Sequence, residues 1–326
     1  MASGSLAGQR GRLARYRGLA PVGVLLLICV VVAAINPNFV SLSNLVRLLS
    51  GAAIPLVLVM GATFVILMGS IDLSVEGVVA LAAVITSMLV LNDFTGADLG
   101  LLAVPVAIAA GGAVGFVNGF VHVRLKIPSF MATLGFGFAG VGVATAILGG
   151  FTVRIADRGF RELALGRFLD VPFSVWLAGM AVLVAWVIQE RTRLGRWVYA
   201  IGTDEVTAKH AGVPVERTRI LVFTLAGLFY GLGGALAAAQ LGQGHALMGT
   251  GRLFTTITAV VVGGTALSGG VGSVLNSVIG VGIVIVLTNG MVLMGIPPYV
   301  QQGVQGLMII AAVALALDRS RLVVVK

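Results

Sequence analysis

Apolar runs of about 20 residues recur along the whole chain, and this constrains the fold more than any other feature. A bilayer core needs roughly 20 apolar residues per helical span. Segments of about that size lie near 20–35, 45–68, 73–91, 99–121, 129–149, 172–190, 219–241, 254–268, 272–293 and 299–317. With 58% hydrophobic and 10% charged residues, a chain of 326 residues has too little polar surface to fold in water. The expected class is an all-α polytopic membrane protein of about ten transmembrane helices. It comprises a single domain over 20–317, a basic N-terminus over 1–19 and a short tail over 318–326.

The glycine content supports helices packed closely in lipid. Gly111, Gly115 and Gly119 repeat at the small-xxx-small spacing that lets backbones approach, as do Gly227 and Gly231.

The net charge of +9 does not call for nucleic acid, because the basic residues gather in alternate loops. One set holds Arg10–Arg17, then Arg124 and Lys126, then the loop over 191–218, then Arg319, Arg321 and Lys326. The other set holds an acidic stretch over 92–99 and a charge-mixed stretch over 152–171. The bias predicts both termini in the cytoplasm. The arginines before the first apolar run imitate a signal peptide, but no small-residue cleavage site follows Val32, so a retained first helix is expected.

The stretch over 191–219, RTRLGRWVYAIGTDEVTAKHAGVPVERTR, is a charged island between apolar segments. Thr203 or Asp204 can cap a short helix through about His210, and Gly212-Val213-Pro214 stops it. Such a helix is either a docking element for a soluble partner or a solvated amphipathic linker.

Asp72, Ser74 and Glu76 lie where the third span begins. Two readings are open. Asp72 caps that helix at the cytoplasmic interface and Glu76 complements its dipole, or the carboxylates form a gate or solute contact, since ionisable groups near membrane depth are costly. Asn118, Thr133, Thr265 and Asn289 are polar groups in or near spans. They either hydrogen-bond between helices or line a path. The turn around Gly69 and the short span ending in Gly263-Gly264-Thr265 are paired Gly-marked breaks of the kind that line transport paths.

No phosphate-binding G-x-x-x-x-G-K-[ST] loop precedes Lys126, Lys209 or Lys326, and no nucleophile–base arrangement argues for catalysis. His122, His210 and His245 lack metal-ligand spacing. A paired intramembrane carboxylate or mid-span lysine, which an ion-coupled secondary transporter would need, is not evident.

Four motifs in this order carry a family resemblance. They are Gly69-Ser70-Ile71-Asp72-Leu73-Ser74-Val75, KIPSFMATLG over 126–135, RTRLGR over 191–196 followed by VYAIG, and VVVGGTALSGGVGS over 260–273. Together they make the chain resemble, over nearly its whole length, the permease subunits of bacterial ABC importers of the ribose/xylose/galactose type, within the branched-chain-amino-acid/sugar permease superfamily. The resemblance implies a type II importer permease in the bacterial inner membrane, paired with a second permease, usually an identical one. Cytoplasmic ATPase subunits would hold ATP and Mg, and a periplasmic binding protein would deliver a monosaccharide or related polyol. This chain would carry no cofactor and catalyse no reaction. Asp72, Ser74, Glu76, Asn118, Thr133, Thr265 and Asn289 would gate or line the path. Arg193, Gly195, Arg196, Thr203, Asp204, Glu205, Lys209 and Gly212 would form the ATPase contact, with the coupling helix at about 203–212. An amino acid is the rival solute. The chain departs from the family pattern where Ser70 and Glu76 replace glycines, where Leu253 and Thr255 replace an acidic pair, and where Val271 replaces a frequent basic residue.

Overall fold

A computed structural model describes residues 20–316. The basic N-terminus and the tail lie outside them. Helices lie near the expected spans: α1 Ala20–Ile35, α2 Leu42–Leu67, α3 Val75–Leu89, α4 Ala103–Arg124, α5 Ser129–Leu148, α7 Phe173–Arg191, α10 Val215–Leu241, α11 Arg252–Val262, which stops short of the expected 268, α12 Val274–Leu293 and α13 Pro298–Ala316. Among the described residues, six are long and apolar enough to cross a membrane, whereas α1, α3 and α11 are shorter apolar helices. The fold is that of a polytopic helical membrane protein.

The expected glycine stripes face each other. A Cβ on Gly111 would meet Gly231 backbone at 2.8 Å, and one on Gly227 would meet the Gly115 Cα at 3.1 Å. Gly119 packs against Ile220 in the same way. Backbone contact along two helices is what small residues permit in lipid, where no hydrophobic drive separates helix from solvent. Around this α4–α10 seam, α2 and α3 bury Leu58, Met60, Phe64 and Val79 against Phe223 and Tyr230.

One face of the bundle carries the charged island. It forms two helices, α8 Arg193–Thr203 and α9 Glu205–His210. The first was not foreseen: Thr192 ends α7, and its hydroxyl also caps α8 by accepting the Gly195 amide at 3.3 Å. The second matches its expected cap and stop, with Asp204 accepting the Val206 and Thr207 amides and Gly212 at φ +82°.

The stretch expected as a loop over 152–171 is also partly ordered, on the opposite face. There β1 Val153–Arg154 pairs with β4 Gln243–Gly244, and β2 Arg167–Phe168 pairs with β3 Val171–Pro172. The amphipathic α6 Arg158–Leu165 buries Phe160 and Ala164.

Candidate functional site

Two helix breaks converge beneath α8. The first is the non-helical run over 69–74 between α2 and α3. The second is the glycine-rich run over 263–273 between α11 and α12. The Gly270 amide donates to the Leu67 carbonyl at 2.8 Å and joins the two breaks. Gly202, in the last turn of α8, fits against this junction: a Cβ there would strike the Leu67 carbonyl and the Gly270 amide. The Tyr199 hydroxyl donates to the Gly272 carbonyl at 2.6 Å. The amide of Gln189, in α7, accepts the Val274 N–H at 2.6 Å. The island therefore touches both breaks directly.

Asp72 corrects the capping expectation. Ser74 occupies the N-cap of α3, and Asp72 precedes it by two residues. Asp72 Oδ1 accepts both the amide and the hydroxyl of Ser74, at 2.8 and 2.6 Å. Asn118 Nδ2 donates to the same Ser74 hydroxyl at 3.0 Å. The Tyr230 hydroxyl is fully buried beside the carboxylate. Tyr230 is in the middle of α10, so the break turns back into the bundle and does not remain at its surface. Asp72 is only 6% exposed. Its Oδ1 finds its partners in this network, as a buried polar atom must.

Thr133 and Ser129 on α5 hold the same break. The Thr133 hydroxyl accepts the Leu73 amide at 2.9 Å and donates to the Ser129 carbonyl at 2.9 Å, while the Ser129 hydroxyl accepts the Ile71 amide at 3.1 Å. Thr133→Val should leave the half-buried Leu73 amide unpaired, at a cost of about 1 kcal/mol. A melting temperature lowered by several degrees in detergent would bear this out, and an unchanged one would show that the break does not need the hydroxyl.

Glu76 lies apart from Asp72 and points to α11. Its Oε1 accepts the Gly251 amide at 2.8 Å and the Leu253 amide at 3.4 Å. Gly251 is the N-cap of α11 and has no side chain to offer, so Glu76 supplies the cap from another helix. Beside it opens a cavity of about 820 Å³ between α2, α3, α11 and α13.

The remaining expected path residues are dispersed. Asn289 makes a reciprocal amide pair with Asn44, both bonds 3.0 Å, which fastens α12 to α2. Thr265 is fully buried in the second break, with its hydroxyl unpartnered. Ser277, absent from the expected set, receives the Thr63 hydroxyl at 2.8 Å. The role of Gln189 was also not legible.

On the island, Gly195 is buried against the Gln189 and Ile188 carbonyls of α7, whereas Arg193 and Arg196 are exposed. Thr203, Asp204, Glu205, Lys209 and Gly212 are exposed as well. Val206 offers an apolar side chain that is 64% exposed. Hydrogen bonds from Thr207 hold the Asp204 carboxyl below the usual carboxylate range. Glu205 pairs with Arg219 at 2.6 Å. A second cavity, of about 580 Å³, lies beside α9 and is lined by His122, Lys126, Lys209, Arg217 and Arg219. That rim is mainly basic.

The family described as branched-chain amino acid transport system / permease component matches residues 44–313. Similar proteins include the ribose import permease protein RbsC of Escherichia coli K12, 35% identical over 89% of this chain and 90% of its own length. RbsC of Bacillus subtilis 168 is 33% identical over 93% of each chain. The galactose/methyl galactoside import permease protein MglC of Escherichia coli K12 is 32% identical over 90% of this chain and 91% of its own. No solved structure matches. The chain belongs to this permease family.

Proposed function

We propose that this member of the permease family is the membrane-spanning subunit of an ATP-driven importer for a monosaccharide or related polyol. The observation that carries the reading is the contact of α8 with both helix breaks: a partner that moves the island moves the Leu67–Gly270 junction. The ribose and galactose permeases named above favour a sugar as the solute. Ten membrane crossings with both termini in the cytoplasm agree with the distribution of basic loops. They put α8 and α9 on the cytoplasmic side and the β1–β4 cap outside.

In this mechanism, ATP binding closes a pair of cytoplasmic ATPase subunits, and α9 passes the movement to α8. Two permease copies then alternate access for a solute brought by a periplasmic binding protein. Closure biases the path only through a free-energy difference between its two states. This chain contributes geometry and polar contacts, and ATP and Mg belong to the partner. The assembly works in the bacterial inner membrane.

Gentle purification with mass spectrometry of stoichiometric partners tests the reading. An ATPase with a phosphate-binding loop and a sugar-binding protein are expected, and a chain that elutes alone would overturn it.

Glu205→Lys tests the motor contact. An exposed ion pair contributes about 0.2–1 kcal/mol, so the fold should survive. ATP-driven uptake should fall several-fold at normal expression. Adding Arg219→Glu should restore the local pair but not uptake. Unaltered uptake in Glu205→Lys would remove Glu205 from the contact.

A further inference from the structure

Glu76 does more than cap α11. Its Oε1 receives the two α11 amides, and Oε2 makes no hydrogen bond to the described residues. Glu76 lines the 820 Å³ cavity together with Arg252, Gln301, Gln302 and Gln305; Gln301 donates to the Ile296 carbonyl and Gln305 to the Thr288 hydroxyl. Arg252 Nε donates to the Met248 carbonyl at 3.1 Å, and no ion pair joins Arg252 to Glu76 among the described residues. Two residues of opposite formal charge thus line one cavity without forming an ion pair among the described residues.

The depth of this cavity makes the arrangement informative. Pro55 forms part of its wall. It lies near the centre of the 26-residue α2, roughly 18–20 Å from each end at about 1.5 Å per residue. The chain after β4 descends along α3, with Gly244 against Ser87 and Gly249 against the Glu76 backbone, so α11 begins at that depth. Hydrocarbon cannot solvate a free carboxylate oxygen and a guanidinium. Such groups persist at membrane depth where they face water or a polar cavity. The volume falls within the roughly 300–1,000 Å³ common for small-molecule sites.

We propose that Glu76 and Arg252 form a charge-balanced aqueous station on the path, one that admits neutral polyhydroxylated solutes and disfavours charged ones. Glu76 Oε2 accepts hydrogen bonds from solute hydroxyls, and the Arg252 guanidinium donates to solute oxygens. A sugar hydroxyl both gives and takes hydrogen bonds and so satisfies both walls. A solute with net charge meets one attractive and one repulsive group, so it gains no net attraction to offset the loss of its hydration. This inference rests on the importer reading for the identity of the solute, but the charge and wetness of the station are measurable without it.

Cys29 is the chain's single cysteine. In a Cys29→Ser background, Thr255→Cys places a thiol on the cavity wall. The assembled protein in native membrane vesicles is treated with the cationic trimethylammonium-ethyl and the anionic sulfonatoethyl methanethiosulfonates. Both should modify the thiol. Glu76→Gln, whose amide oxygen still accepts the α11 amides, should lower the cation-to-anion rate ratio at least threefold. Arg252→Gln should raise it by a similar factor. A thiol that neither reagent reaches, or a ratio unmoved by both variants, would overturn the station. ATP-dependent uptake of D-ribose and D-galactose is measured in the same vesicles. If uptake is absent while the ratios shift as stated, the importer reading fails for these two sugars and the station stands.

Discussion

Gly202→Ala is expected to cut ATP-driven uptake at least tenfold while the permease still co-purifies with its ATPase. The added methyl would meet the Leu67 carbonyl and the Gly270 amide, two backbone groups already hydrogen-bonded to each other at 2.8 Å. Neither is the far end of a flexible side chain, so the strain must shift α8 or part the two breaks. Overpacking of this kind costs about 1–3 kcal/mol. About 1.4 kcal/mol changes an equilibrium tenfold, so a cost in that range is enough to hold the permease out of one of the two states proposed for it. ATP hydrolysis should continue, since the exposed faces of α9 are untouched, and uptake per ATP should drop. Gly179→Ala on α7 is the control, because a Cβ there meets nothing within 4 Å. Uptake measured beside hydrolysis in proteoliposomes decides the point: a Gly202→Ala protein that transports like the parent would show that α8 does not drive the breaks.

What the sequence revealed was local. The Gly111, Gly115 and Gly119 stripe was readable because its spacing is a property of one helix, and its partner stripe on α10 carries the same signature. The helix α9 was readable because cap and stop lie within ten residues of each other. The helix α8 was missed because Thr192 serves as the end of α7 and the cap of α8 at once, so no polar gap separates them. Contacts between remote segments left no local trace. Glu76 caps a helix that starts 175 residues later, and the glycine at 251 shows only that something else must do the capping. The seat of Gly202 needs three segments to meet, and a glycine near the end of a charged helix reads equally well as a helix stop. The parity of the spans put Asp72 at the interface, because counting spans cannot register a break that turns back toward Tyr230.

At Asp72 a role in the fold and the proposed role in transport can be told apart by two substitutions. Asp72→Ala removes the acceptor for the Ser74 amide and hydroxyl and leaves both buried. Each orphaned group costs about 1–3 kcal/mol, and the Ser74 hydroxyl also anchors Asn118. The protein should then accumulate poorly and α3 should lose its start. Asp72→Asn keeps an oxygen where Oδ1 stood and retains both Ser74 bonds, so it should accumulate near the parent level. What it loses is the ionisable group, which lies beside the buried Tyr230 hydroxyl in the middle of the bundle. A carboxylate used only to shape the break would be replaced by the amide without consequence. A carboxylate whose charge holds one arrangement of α3, α4 and α10 would not, and its loss should lower ATP-driven uptake at least tenfold in correctly folded protein. Uptake by Asp72→Asn, normalised to the amount of folded permease in the membrane, separates these cases. Uptake close to the parent's would reduce Asp72 to a helix-start residue and leave the gate to other groups.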